Sequence, residues 1–349
     1  MAKDRTISEA FLVNGSTGDP VLYVDYPGRD DALLFDAGEL GTLDIGRLGD
    51  LAAVFITHHH VDHFIGLDRI VRANLDQDKT LHVYGPDGTI RRVYDRITSY
   101  EHPFFPFQKV VFKVHEVVEG RLRWAELDCA RRFPEPEVAE RTLRGRVPVI
   151  YANDDLSVEA ALVDHTVPCL AFALVEKPGV HPDASRMAEG PLRPGPWVGR
   201  VLDLLRDGAA PETPVEIDGG RFALGALAER YFTTSKGARL AYITDTAWSE
   251  SSRPALLKLA HRAHRLYCDS YYAATELRQA QAYRHMIATQ AAVLATAARV
   301  EELVLIHFAP RYRGRYEQLL EEARGVFPRT SAELGAAELG GPVRSSGRR

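Results

Sequence analysis

The chain has little cysteine, no long apolar run and no excess of positive charge. Cys129, Cys169 and Cys268 are the only cysteines among 349 residues, and none forms a CxxC pair. That excludes a disulfide framework and a thiolate zinc site, and it fits a reducing cytoplasm. No window reaches the roughly 20 apolar residues of a membrane span. The opening Met1-Ala-Lys-Asp-Arg-Thr-Ile has no signal-peptide apolar core. A soluble cytoplasmic chain with no membrane partner is expected. Lys plus Arg total 43 against 48 for Asp plus Glu, a net charge of -5. This excludes nonspecific coating of nucleic acid but leaves room for a local basic groove. The 45% hydrophobic content is enough for a substantial core.

Histidine is where the chain concentrates its chemistry. Thr57-His58-His59-His60-Val61-Asp62-His63 follows Leu51-Ala-Ala-Val-Phe-Ile56, an apolar stretch of strand length. Side chains alternate along a strand end, so His58 and His60 share one side and His59 points away. Asp62 and His63 come after the chain has turned, where they can serve a second ion beside the first. Imidazole and carboxylate suit zinc, and manganese or iron can occupy such sites.

Along the chain, strands are expected at Phe11–Val13, Val21–Tyr26, Ala32–Phe35, Leu51–Ile56 and Leu81–Tyr84, with a helix from about Gly66 to Leu75. Residues 95–150 show weak periodicity and receive little assignment. Leu156–Ala161, Cys169–Val175, Arg239–Thr244 and Leu303–Ile306 read as strands, Trp197–Leu205 as a helix, and Thr275–Arg299 as one long alanine-rich helix. Strands alternate with helices after a hairpin-rich start. This predicts an α/β protein of two mixed sheets packed between helices, with ligands at strand ends. A single domain is expected over residues 1–327, with an insertion around 176–220 and a disordered basic tail at 328–349.

His165, Asp245 and His307 match the position type of the first cluster: metal-competent, at or near the ends of apolar strands. Together with His58, His60, Asp62 and His63 they supply what two adjacent metal ions need, with one carboxylate shared.

These residues resemble the metallo-β-lactamase superfamily and, within it, the ribonuclease Z branch that processes tRNA 3′ ends. The similarity lies in Phe55-Ile-Thr-His-His-His-Val-Asp-His-Phe-Ile-Gly-Leu67, Asp36-Ala-Gly-Glu39, Asp164-His-Thr-Val-Pro168, Thr244-Asp-Thr246 and His307-Phe-Ala-Pro-Arg-Tyr312. Tyr283-Arg-His-Met-Ile-Ala-Thr-Gln-Ala-Ala292 is similar to the helix start carrying that branch's catalytic histidine. Gly190-Pro-Leu-Arg-Pro-Gly-Pro196 is similar to its tRNA-gripping arm. The resemblance implies the αββα sandwich of two mixed sheets flanked by helices. It implies two divalent ions, one held by His58, His60 and His165, the other by Asp62, His63 and His307, with Asp245 bridging. Asp36 would orient ligands. Asp62 would also position the attacking water and accept its proton. His285, held by Asp269, would act as general acid, and Arg311 is a possible phosphate contact. A homodimer is implied as well.

The chain departs from that branch in several places: the residues after His285 differ from the usual pair, the stretch from His63 to His165 is longer, and the arm region mixes Arg186, Arg193, Arg200 and Arg206 with Glu189, Asp203 and Asp207. The His-Glu-Ala-Thr segment reads Cys268-Asp-Ser-Tyr271, which leaves Asp269 one methylene shorter than glutamate. Asn14-Gly-Ser-Thr-Gly-Asp-Pro-Val-Leu-Tyr23 stands where a Pro-x-x-x-Arg-Asn loop is expected. The leading expectation is a phosphodiesterase that cuts precursor tRNA endonucleolytically at its 3′ trailer. The alternative is hydrolysis of a small phosphodiester, such as a cyclic nucleotide, or of another small substrate.

Overall fold

The structure is a computed structural model that describes residues 9–25, 31–101 and 105–333. Eight strands form the first sheet in sequence order: β1 (Glu9–Leu12), β2 (Leu22–Asp25), β3 (Ala32–Phe35), β4 (Leu51–Phe55), β5 (Thr80–Pro86), β6 (Val111–Val118), β7 (Arg121–Asp128) and β8 (Ala139–Thr142). β9 (Val149–Ala152), β10 (Leu156–Val163) and β11 (Cys169–Glu176) begin the second sheet. An insertion then carries two hairpin-like pairs. In one, β12 (Gly179–Pro182) pairs with β15 (Phe232–Ser235); in the other, β13 (Pro214–Ile217) pairs with β14 (Gly220–Ala223). The second sheet resumes with β16 (Arg239–Ile243), β17 (Arg265–Asp269), β18 (Glu302–Ile306) and β19 (Thr330–Ser331), in the order β19-β18-β17-β16-β11-β10-β9.

Two mixed sheets flanked by helices make the αββα sandwich of the metallo-β-lactamase fold. β3 and β4 are apolar at nearly every position because both faces of the sheet are covered. Between the sheets, Phe35 stacks on Phe55 at 4.9 Å, and Phe172 meets Phe55 edge-on at 5.7 Å. Each buried ring of this kind contributes roughly 2–3 kcal/mol of apolar transfer. The outer face of the first sheet packs Leu34, Val54 and Val83 against helices Leu67–Asn74 and Thr89–Thr98. The outer face of the second is covered by Arg253–Ala260 and the alanine-rich Ala288–Ala298, whose small side chains let it lie close.

β3 and β4 run parallel in one sheet, and β16, β17 and β18 run parallel in the other. Their C-terminal ends open onto the same edge of the sandwich. Asp36, Asp245, Asp269 and His307 therefore all leave strands there.

Several elements differ from the sequence reading. Residues 95–150 hold the hairpin β6–β7 and the strands β8 and β9. The expected helix over 275–299 is broken: Leu277–Tyr283 ends at Arg284, and a new helix starts at Ala288. The insertion extends to Ser235 and adds helix Leu224–Tyr231. It encloses a small core of its own around Trp197, Val201, Leu227 and Tyr231. The ordered chain also continues past 327. Thr330–Ser331 forms the edge strand β19 beside β18. Glu333 clasps the other end of the protein: its carboxylate accepts the Leu12 N–H at 2.7 Å and the Tyr267 hydroxyl at 3.0 Å. Its backbone exchanges hydrogen bonds with Ser16. The expected tail from 334 to 349 lies outside the described residues.

Candidate metal centre

Asp36 closes β3 in the left-handed region at φ 59°, which Asp tolerates better than most residues. It is fully buried. Its carboxylate accepts the Thr57 N–H at 2.7 Å, the Thr57 hydroxyl at 2.8 Å, the Tyr242 hydroxyl at 3.0 Å and His63 Nδ1–H at 2.9 Å. The loop bearing Asp36 is pressed onto the histidine run. Ala37 N–H donates to the His63 carbonyl and Gly66 N–H to the Ala37 carbonyl. The approach admits no side chain, since a Cβ on Gly38 would meet the Asp62 carbonyl and one on Gly66 the Gly38 carbonyl.

Asp245 and His307 also end their strands in the left-handed region, at φ 48° and 61°. Strain of this kind, on the order of 1–2 kcal/mol per residue, persists where surrounding contacts over-determine the geometry. Here it swings both side chains into a common pocket. Asp245 lies at its centre, 2% exposed. Its Oδ2 is 3.6 Å from His58 Nε2 and 3.7 Å from His165 Nε2. Its Oδ1 is 3.5 Å from His63 Nε2 and 2.9 Å from His307 Nδ1. Asp62 Oδ2 lies 3.7 Å from His63 Nε2 and 3.5 Å from His307 Nε2. The donor atoms thus fall into two groups that share Asp245: His58, His60 and His165 on one side, Asp62, His63 and His307 on the other.

The spacings show what these groups can hold. Separations of 3.5–3.7 Å exceed a hydrogen bond of about 2.7–3.2 Å. They approach the roughly 3.3 Å edge of a tetrahedron whose bonds are about 2.0–2.1 Å. His58 Nε2, His63 Nε2 and His165 Nε2 are buried without a hydrogen-bond partner. Each such orphan costs about 1–3 kcal/mol, and a shared cation would satisfy them together. The residues therefore fit a dinuclear centre of divalent ions.

Electrostatics agree. Burial, followed by the charge of His63, pushes His58 far below the ordinary imidazole range, so it is neutral, as a ligand must be. Burial also opposes charge on His63 and His307, but the Asp245 carboxylate outweighs it. His63, helped by Asp36, rises to about 10, and His307 lies well above its ordinary value. Asp245 is held well below the carboxylate range against its burial by His307 and His63. The acidic pocket demands positive charge, and a metal ion would displace those protons.

Asp269 and His285 lie beside the pocket. His285 Nδ1–H donates to Asp269 Oδ2 at 3.1 Å, so the shorter carboxylate does reach. Tyr271 stacks on His285 at 4.4 Å. Asp269 Oδ1 has no hydrogen-bond partner, and it lies 3.6 Å from His307 Nδ1. Asp245, Asp269, His285 and His307 also lie close enough to form a ligand group. His59 turns away, with Nε2 at 2.9 Å from Thr89 Oγ1. Arg311 is drawn into an ion pair with Glu276 at 2.6 Å and lies over the Tyr272 ring. Tyr242, Tyr271 and Arg284 were missed by sequence reasoning. Tyr242, three residues before Asp245 on an apolar strand, carries no signal until the two sheets are stacked.

Paired histidine–aspartate clusters at one end of an αββα sandwich define a metal-dependent hydrolase centre. A beta-lactamase superfamily domain model matches residues 34–134. The ribonuclease Z of Deinococcus radiodurans is 30% identical over 328 residues, covering 91% of this chain and 96% of that protein. The ribonuclease Z of Synechococcus sp. (strain WH7803) is 31% identical over 318 residues, covering 87% and 85%. The chain belongs to the metallo-β-lactamase superfamily. Among solved structures, the metallo-beta-lactamase fold protein YhfI of Bacillus subtilis superposes with a TM-score of 0.53 at 14% identity, covering 92% of this chain and 94% of that one. Human tRNase Z, short form, gives 0.50 at 16% identity, covering 88% and 92%. Among the described residues, no helix is long and apolar enough to cross a membrane.

Proposed function

We propose that this chain is a dinuclear metal-dependent phosphodiesterase of ribonuclease Z type, removing 3′ trailers from precursor tRNA in the cytoplasm as a homodimer. Similarity to proteins named ribonuclease Z along nearly their whole length supports the substrate class. The observation that carries the chemistry is the Asp269–His285 pair beside the two ligand groups. It adds a proton-transfer residue to a metal pocket.

His58, His60 and His165 would hold one ion and Asp62, His63 and His307 the other, with Asp245 shared and zinc favoured by the histidine count. Bound divalent ions would supply charge stabilisation at phosphorus and lower the pKa of water to about 7. Asp62, its side chain 38% exposed, stands at the rim of the pocket. There it orients the attacking water and takes its proton. Asp269 accepts His285 Nδ1–H, so the imidazolium form of His285 keeps that proton on Nδ1 and hands its Nε2 proton to the leaving oxygen.

A second reading, hydrolysis of a small phosphodiester, is favoured by one observation. Arg311, the sequence's candidate phosphate contact, is already paired with Glu276. Cleavage of precursor tRNA with a 3′ trailer, run beside bis(p-nitrophenyl) phosphate with zinc or manganese, separates the two. Cutting at the 3′ boundary of the mature tRNA supports the first reading. Turnover of the small ester alone supports the second.

A further inference from the structure

Arg284 precedes His285 and caps helix Leu277–Tyr283 in the left-handed region, at φ 60° and ψ 43°. A non-glycine residue costs roughly 1–2 kcal/mol there, so its contacts must hold it. Two do so. Its carbonyl oxygen accepts a hydrogen bond from His165 Nδ1–H at 3.2 Å. Its guanidinium Nη1 donates to both carboxylate oxygens of Asp164, at 2.6 and 2.7 Å.

Each contact reaches a different part of the centre. A carbonyl can only accept, so the first fixes the proton of His165 on Nδ1. That leaves the Nε2 lone pair bare, where it lies buried and unpartnered 3.7 Å from Asp245 Oδ2. The second pins the residue before His165. Asp164 is in turn bonded to the segment after Asp245: its N–H donates to Ser252 Oγ at 2.8 Å, and its carbonyl accepts the Ala247 N–H at 2.9 Å. One residue thus joins the turns carrying His165, Asp245 and His285. Removing Arg284 should loosen all three.

We propose that Arg284 is a positioning residue that sets the ligand His165 and the proton-transfer residue His285 relative to each other. This rests on the dinuclear reading above. The Arg284 and Asp164 side chains are 47% and 22% exposed, and ion pairs this open add little to stability. Positioning and scaffolding roles therefore make different predictions.

The test uses the full chain. Arg284→Gly keeps the left-handed backbone and deletes the guanidinium. Arg284→Lys keeps a charge and a single nitrogen that can bridge the two oxygens, on a side chain of different length and shape. Asp164→Asn removes the partner's charge. The readouts are zinc affinity of each site by chelator competition, kcat and KM for bis(p-nitrophenyl) phosphate, and the Tm of the metal-free protein. Arg284→Gly should weaken one zinc site about 10- to 100-fold, the range for groups that orient ligands. It should lower kcat more than it raises KM and move Tm little. Arg284→Lys should recover part of the loss. In an Asp164→Asn background, Arg284→Gly should add less than about twofold, because the link is already cut. Arg284→Gly with wild-type affinity at both sites and unchanged kcat overturns the proposal. Full additivity with Asp164→Asn does the same. If Arg284→Gly fails to fold, wild-type zinc affinity in Asp164→Asn overturns it. A wild-type chain that binds no zinc overturns the metallohydrolase reading and this proposal with it. Wild-type zinc binding with an unaffected Arg284→Gly overturns the proposal alone.

Discussion

Asp36→Asn isolates one proton. In the native protein Asp36 accepts every hydrogen bond it makes: Thr57 N–H and hydroxyl, the Tyr242 hydroxyl and His63 Nδ1–H. Asparagine keeps the size and tolerates the left-handed φ, but its amide nitrogen must face a donor. With its oxygen toward the Thr57 N–H, the NH2 faces His63 Nδ1–H and the Tyr242 hydroxyl. Tyr242 can rotate. His63 can relieve the clash only by giving up the Nδ1 proton and keeping one on Nε2, the atom a metal must take. Binding must then reverse the tautomer and leave a buried donor opposed, at about 1.5–3 kcal/mol. At about 1.4 kcal/mol per tenfold, zinc affinity at the Asp62, His63 and His307 group should fall roughly 10- to 100-fold. The His58, His60 and His165 group should change far less. Two-site chelator competition on the folded variant measures both. Both sites within twofold of wild type would refute the argument that Asp36 sets the His63 tautomer.

Asp245 is shared between the groups, so Asp245→Ala should lose both ions and activity toward an aryl phosphodiester together; retained turnover sinks the dinuclear assignment. His285→Ala should keep both ions while kcat drops about 10²- to 10⁴-fold, the range for a lost general acid. Lost metal would instead make His285 a ligand in the group with Asp245, Asp269 and His307. On strand β6, His115 stacks on Tyr84 at 4.2 Å, and burial, reinforced by neighbouring His82, lowers its pKa to about 3. Its folded pKa lies below the unfolded value of about 6.5, so the stability it contributes is complete above 6.5 and is lost as pH falls toward 3. Urea titrations of metal-free protein at pH 7 and pH 5 should show His115→Phe losing up to about 2 kcal/mol less than wild type over that interval; equal losses would contradict the burial argument.

The residues that cluster in the pocket were legible because they sit at or near the ends of apolar strands, and such strands announce themselves by composition. His58, His60, Asp62 and His63 were further marked by clustering. The path of the chain between 275 and 299 was not legible. Arg284, His285 and Met286 contain no glycine or proline, and local propensity runs straight through them. The break is imposed from outside, by Asp269 accepting both His285 Nδ1–H and the Met286 N–H. The β6–β7 hairpin was hidden for a different reason. Its cross-strand partners include Lys113 and Glu126, so charge interrupts the alternation that would mark a strand. Asp36 could be placed at a turn, but its Tyr242 partner is 206 residues distant, a pairing that only the stacking of two sheets creates.

The clasp between Glu333 and the first strand bears on how the protein is made. Ser16 sits between Glu333 and the residue after His307: its carbonyl accepts the Phe308 N–H at 3.1 Å. A nascent chain leaving the ribosome can build the first sheet early, but the Leu12 N–H and the Ser16 N–H meet their Glu333 acceptors only once residue 333 emerges. His307 arrives almost as late. The metal centre therefore cannot close before His307 has left the ribosome. Ions captured by the early histidines would sit in an open, exchangeable pocket until the last segment docks. A chain terminated before Thr330 should accumulate as a half-assembled species with its N-terminal strand edge exposed, the form most open to aggregation.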